Sequence, residues 1–145
     1  MEKYIHSHFG VYALIFNEDK TSILVIKKAR GPYTGMLDLP GGSPEKMELL
    51  EETLERELLE ETNCTTTSYH QLGGFSTLFS YKKEGGEGLL RHLGVIFTAE
   101  ISGTPRTEPD GHDSNGCVWF SINDLTEKNA TPFVHMALDT ASHAV

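Results

Sequence analysis

The sequence predicts a mixed α/β domain, and three features predict it. β-rich apolar runs lie on both sides of one long Glu- and Leu-rich segment, and the strands and helix do not alternate as regular βαβ units. No repeat or Pro/Ser-rich linker divides the 145 residues, so 1–145 is read as a single domain of ordinary size. Hydrophobic residues make up 38% and charged residues 23%, a balance that excludes a disordered chain.

The runs His8–Phe16 and Ser22–Lys27 flank the polar Asn17-Glu18-Asp19-Lys20 and are expected to pair as a hairpin. Ala29–Gly35 reads as a loop from its Gly and Pro content. Leu37–Gly42 is a short extended piece ending in a Gly-Gly bend. Met47–Thr62 holds no Gly or Pro and is the strong helix, with Asn63 suited to a left-handed C-terminal cap. Gln71–Tyr81 and Leu89–Glu100 are strands joined by the Gly-rich turn Glu84–Gly88. A polar loop, Ser102–Gly116, leads to the short strand Cys117–Phe120. Ser121 or Asn123 caps a turn of helix, and Pro132 opens a terminal helix reaching about Ala141.

Twelve Lys and Arg against 21 Asp and Glu give a net charge of −9 at pH 7. Such a chain lacks the basic face that displaces counterions from polymeric nucleic acid, so no nucleic-acid partner is expected. A small phosphorylated ligand stays compatible, because metal ions bridge acid to phosphate. No apolar run approaches the ~18–20 residues of a membrane span, and the N-terminus lacks the order of a signal peptide. Cys64 and Cys117 have no CxxC spacing and are expected to be reduced thiols in a cytoplasmic protein.

On a helical wheel, Met47, Leu50, Leu54 and Leu58 form an apolar stripe. Glu61 falls inside that stripe, Glu57 on its flank, and Glu60 farther round on the same side. Glu57 and Glu61, four residues apart, project side by side. Their repulsion, their partial desolvation and their place near the negative end of the helix dipole are all unfavourable. A hard divalent cation such as Mg²⁺ removes all three objections, whereas a solvated acidic face is the plain alternative. Arg56 lies four residues from both Glu52 and Glu60. It braces either one as a surface pair worth about 0.3–0.5 kcal/mol, or orients Glu60 for a metal.

Gly42, Glu48 and Arg56-Glu57-Leu58-Leu59-Glu60-Glu61-Thr62-Asn63-Cys64 resemble the Nudix box, Gly-x5-Glu-x7-Arg-Glu-U-x-Glu-Glu-x-Gly-U, in which U is a bulky aliphatic. Such a match arises by chance in about one of 10⁵–10⁶ chains of this length. Asn63 stands in place of the last Gly and Cys64 in place of the aliphatic, and neither change touches a carboxylate. Leu39-Pro40-Gly41-Gly42 and Trp119-Phe120 also resemble the family's flanks.

The resemblance implies an α/β/α sandwich with a mixed β-sheet and the Nudix loop-helix. It implies hydrolysis of a nucleoside diphosphate linked to another group, with Mg²⁺ or Mn²⁺ as cofactor. Glu57, Glu60 and Glu61 would be the metal ligands, joined by the carbonyl of Gly41. Arg56 would orient the glutamates and Glu48 would hold the loop–helix arrangement. The general base is either a box glutamate or an acid on a distant loop. Asp113, with Asp110 and Glu108 nearby, falls where some members place that acid, and a solvated loop acid is the equal alternative. A homodimer is expected only at the level of the family.

His6 and His8 alternate on an extended segment with no third ligand beside them and are read as surface residues. Arg30, Tyr33 and Arg91 lie on segments that approach the cleft, where a phosphate contact or base stacking competes with ordinary packing. The absence of GxxxxGK[ST] and GxSxG disfavours a P-loop ATPase and a serine hydrolase. Within the resemblance, no proline stands near 78–80, where ADP-ribose hydrolases tend to carry one. Tyr81 lies near the tyrosine of some dinucleoside polyphosphate hydrolases. The small size fits a MutT-like enzyme acting on nucleoside triphosphates or their oxidised forms. The alternative is a catalytically silent Nudix-like ligand-binding or interaction module, against which stand four intact box glutamates and Arg56.

Overall fold

Ile23, Leu24, Val25 and Ile26 are all buried, a run that a strand tolerates only when both of its faces are covered. The computed structural model, which describes residues 3–143, shows what covers them. In chain order the elements are β1 (Lys3–Leu14), β2 (Ser22–Lys28), β3 (Leu37–Asp38), β4 (Gly41–Gly42), α1 (Leu50–Thr62), β5 (Thr65–Lys83), β6 (Gly86–Ser102), β7 (Ser114–Ser121), a single 3₁₀ turn (Ile122–Asp124) and α2 (Pro132–His143). The strands form two sheets, ordered β4-β1-β6-β5 and β3-β2-β7. β1 runs parallel to β6 and β5 antiparallel to it, so the larger sheet is mixed.

Alternation along the strands splits the core in two. Tyr12, Leu14, Ile23 and Val25 pack with Phe133, Val134 and Ala137 of α2. Val11, Ala13, Ile15, Leu24 and Ile26 pack with Leu54 and Leu58 of α1. Two helices thus enclose the sheets, which is the expected α/β/α sandwich. Asn63 has φ 62° and ψ 25° and donates its N–H to Leu59 O, the left-handed cap read from the sequence. Both cysteines are free and buried. Among the described residues no helix is long and apolar enough to cross a membrane.

Two expectations are corrected. β1 and β2 do not form a hairpin ladder: they belong to different sheets, and their backbones pair only through the Phe16–Ile23 bridge and its neighbouring hydrogen bonds just beyond β1. β1 already has β6 on one edge and β4 on the other, so β2 turns away to pair with β3 and β7. The helix begins at Leu50 rather than Met47, which is 90% exposed with φ 69° and no part of the apolar stripe. Glu48 takes the N–H of Glu45 and the hydroxyl of Thr53. That closes residues 45–48 as a separate turn, and Glu52 receives the Leu49 N–H at the true helix start.

Candidate functional site

Helical periodicity brings the three α1 carboxylates to one depression of the surface at graded depths. Glu61 is 4% exposed, Glu57 is half-buried and Glu60 is exposed. The Gly-Gly strand β4 passes over them. The Gly41 N–H donates to Glu61 Oε1 at 2.7 Å. A Cβ on Gly42 would lie 2.5 Å from the Glu57 carboxylate carbon, so only glycine lets that carboxylate rest there. Gly41 has φ +150°, and a Cβ there would strike the Val11 carbonyl of β1.

Arg56 ties the rest together through its planar fork. It donates to both oxygens of Glu48 at 2.6 and 2.9 Å, to Glu57 Oε1 at 2.9 Å, to Glu60 Oε2 at 3.1 Å and to the Ser43 carbonyl at 3.0 Å. Of the two partners that spacing allows, Glu60 is engaged and Glu52 is not. The Arg56 hydrogen bonds hold the Glu48 carboxyl at about 2. Desolvation acts oppositely on the deeper acids. It pushes Glu61 well above the ordinary carboxylate range, against the Gly41 N–H and with the help of the Glu57 charge. It also raises Glu57, against Arg56.

The cleft has a volume of about 460 Å³, and Gly41, Gly42, Arg56 and Glu57 form one wall. Asp113 and Glu57 line it and also the neighbouring depression, which holds Glu60, Glu61 and Asp110. Asp110 is occupied in receiving the N–H groups of His112 and Ser114. Glu108 lines neither space. Arg30, Tyr33, His6 and His8 face the cleft, whereas Arg91 bonds Ser7 and does not line it. Tyr81 packs with His6, its hydroxyl 3.3 Å from Nδ1.

Among the described residues no three His, Cys, Asp or Glu side chains converge at ligating separation. Glu57 is drawn to Arg56 and Glu61 to Gly41. The donor set nonetheless fits a hard cation, because a nearly buried carboxylate with one N–H partner stands beside a second carboxylate, and both offer oxygen.

Sequence reasoning passed over Tyr12, Asp38 and His92, all buried and all lining the cleft. His92 lies between two tyrosine hydroxyls, Tyr12 at 2.7 Å from Nε2 and Tyr33 at 2.9 Å from Nδ1. It also stacks on Phe133 at 3.9 Å. Burial, with His8 and Lys28 nearby, lowers it to about 3. Strand alternation with Leu90 and Ile96 was the available signal for His92, and the position between Leu37 and Leu39 was the signal for Asp38.

The NUDIX domain family model matches residues 6–137. An ADP-ribose pyrophosphatase of Methanocaldococcus jannaschii is 29% identical over 122 residues, 84% of this chain and 66% of that protein, so the chain spans just under two thirds of that relative. The crystal structure of a MutT NUDIX hydrolase from Burkholderia pseudomallei superposes with a TM-score of 0.70 at 27% identity, covering 93% of this chain and 98% of the other. The NUDIX domain of Shewanella oneidensis NrtR, solved with ADP ribose, gives 0.60 at 19% identity over 94% and 87%, a likeness of fold alone. The match runs through both sheets, α1 and the start of α2, and the chain belongs to the NUDIX domain family.

Proposed function

We propose that the protein hydrolyses a pyrophosphate bond in a nucleoside diphosphate linked to another group, with Mg²⁺ or Mn²⁺ held by Glu57, Glu60, Glu61 and the Gly41 carbonyl. The observation that carries this reading is the Glu57–Glu61 pair, set beneath two glycines at an electrostatic cost that the fold alone does not explain. A divalent ion there supplies charge neutralisation for the diphosphate and a lowered pKa for a bound water. The chain's own residues set the frame. Arg56 fixes Glu57 and Glu60, Glu48 clamps Arg56 from the preceding turn, and β4 sets the depth of Glu61. Asp113, exposed at the cleft edge, serves as proton acceptor.

The substrate we favour is a nucleoside triphosphate or an oxidised nucleotide, in keeping with the likeness to a MutT NUDIX hydrolase. ADP-ribose is the second reading, favoured by the M. jannaschii relative. The test is product-resolved hydrolysis with Mg²⁺ across nucleoside triphosphates, 8-oxo-dGTP, ADP-ribose, dinucleoside polyphosphates and nucleotide sugars. One preferred substrate with Mg²⁺-dependent turnover supports the proposal and identifies the scissile bond. Silence across the panel together with no metal binding would instead favour a ligand-binding module.

A further inference from the structure

A second buried acid faces the cleft and has no part in that scheme. Asp38 ends β3, is 3% exposed and lines the same space as Glu57. Its hydrogen bonds all fall on one oxygen: Oδ1 receives the Leu39 N–H at 2.9 Å and the Thr131 hydroxyl at 2.7 Å. Oδ2 accepts nothing from any described residue. Lys28 lines the cleft too, yet no Lys28–Asp38 ion pair lies within 4.0 Å among the described residues. Nor is Oδ2 walled off. The one enclosed side-chain oxygen without a partner among the described residues is Thr66 Oγ1. A deep carboxylate oxygen with access to a cleft and no donor is a recognition element awaiting one, because leaving it unmet costs its desolvation.

The surroundings indicate which donor. Tyr33, Leu39, Leu90 and Pro32 contribute aromatic and aliphatic lining to the same cleft. Tyr33 cannot swing freely, since its hydroxyl is tied to His92 and its ring packs on Phe79 at 4.7 Å. The Tyr12 and Tyr33 hydroxyls are engaged with His92, so Asp38 Oδ2, set beside aromatic and aliphatic lining, suits a planar heterocycle that carries N–H groups better than a ribose rich in hydroxyls. Building on the reading that the cleft takes a nucleotide, we infer that Asp38 is a specificity-determining residue whose Oδ2 receives an N–H of the substrate's base. The other source of a donor is a ribose hydroxyl, and the test separates the two.

The experiment is isothermal titration of the full chain, in EDTA so that no turnover occurs, with the 5′-monophosphates of adenosine, guanosine, inosine and purine riboside. Purine riboside offers no N–H on its base. The wild type is expected to bind the tightest of the first three at least about tenfold more strongly than the purine riboside nucleotide, the scale of one hydrogen bond to a charged group. Asp38→Asn keeps an oxygen for Leu39 and Thr131 and replaces only Oδ2, by a donor. It is expected to shrink that gap to roughly twofold while melting near the wild type. A gap that survives Asp38→Asn, or a wild type indifferent to the base, overturns the inference. A 2′-deoxy nucleotide that loses tenfold while base changes do nothing transfers the contact to the ribose and overturns the base assignment. Should Asp38→Asn fail to fold, the wild-type series decides alone. Mg²⁺-dependent hydrolysis without base preference would leave the hydrolase reading standing and remove this one.

Discussion

The Gly41 N–H donates to Glu61 Oε1 at 2.7 Å, so a strand of two residues sets the position of the most deeply buried carboxylate of α1. β4 is itself held by β1, where Val11 and Tyr12 pair with Gly42 and Gly41, and β1 is paired along its length with β6. The placement of Glu61 is therefore referred to the larger sheet rather than to a loop. A site built on strands and a helix keeps its geometry better than one built on loops.

Gly42→Ala tests the close approach of β4 to Glu57. The new Cβ would meet only the end of a flexible side chain, so the fold is expected to survive with Tm within about 3 °C of wild type. The displaced carboxylate is expected to lower kcat/KM by about 10²-fold, the usual cost of an ångström-scale misplacement. Thermal melts and initial rates on the same preparation check both halves.

Glu61→Gln separates stability from function. It removes a charge that burial disfavours while keeping an oxygen for the Gly41 N–H. In EDTA the variant is expected to melt higher by about 2–4 °C, a gain near 1 kcal/mol. Its Mg²⁺-dependent turnover is expected to fall by roughly 10³-fold or more. A lower Tm would mean that the carboxylate stabilises the fold.

His92 makes stability depend on pH. Its folded pKa of about 3 lies below the ordinary value of 6.5, so between those values the unfolded chain binds more protons. Its contribution is complete above about pH 6.5 and is lost as pH falls toward 3, at up to about 1.4 kcal/mol per pH unit. The groups facing it are His8, Lys28, Tyr12 and Tyr33. Carboxyls raised by burial oppose this trend, so the comparison is with His92→Gln, which does not titrate. Urea unfolding from pH 7 to 5 should show a wild-type slope steeper than the variant's by up to that amount.

Asn63 at φ 62° predicts a simple ordering at the helix end. Asn63→Gly should be neutral or stabilising by a few tenths of a kcal/mol, because glycine adopts that conformation freely. Asn63→Ala should cost about 1 kcal/mol. Melting curves of the three proteins check the order.

Glu61 and Asn63 were legible because a helix repeats over four residues and the relevant neighbours sit within one turn. Met47 was misplaced because its exclusion depends on where Glu48 sends its carboxylate, and periodicity does not carry that information. The β1–β2 hairpin failed for a longer-range reason: β1 finds its partner at β6, where Tyr12 pairs with Ile96. Asp38 stayed hidden because its hydroxyl donor, Thr131, lies 93 residues away, and His92 because Tyr12 lies 80 away.

Direct titration with Mn²⁺, following heat or the ion's paramagnetic effect on water, tests the central claim that Glu57 and Glu61 form a divalent-cation site. The wild type is expected to bind Mn²⁺, and Glu57→Gln and Glu61→Gln are each expected to weaken that binding by roughly tenfold or more, in folded protein. Unchanged Mn²⁺ affinity in both variants would contradict the assignment and leave the buried carboxylate pair without its explanation.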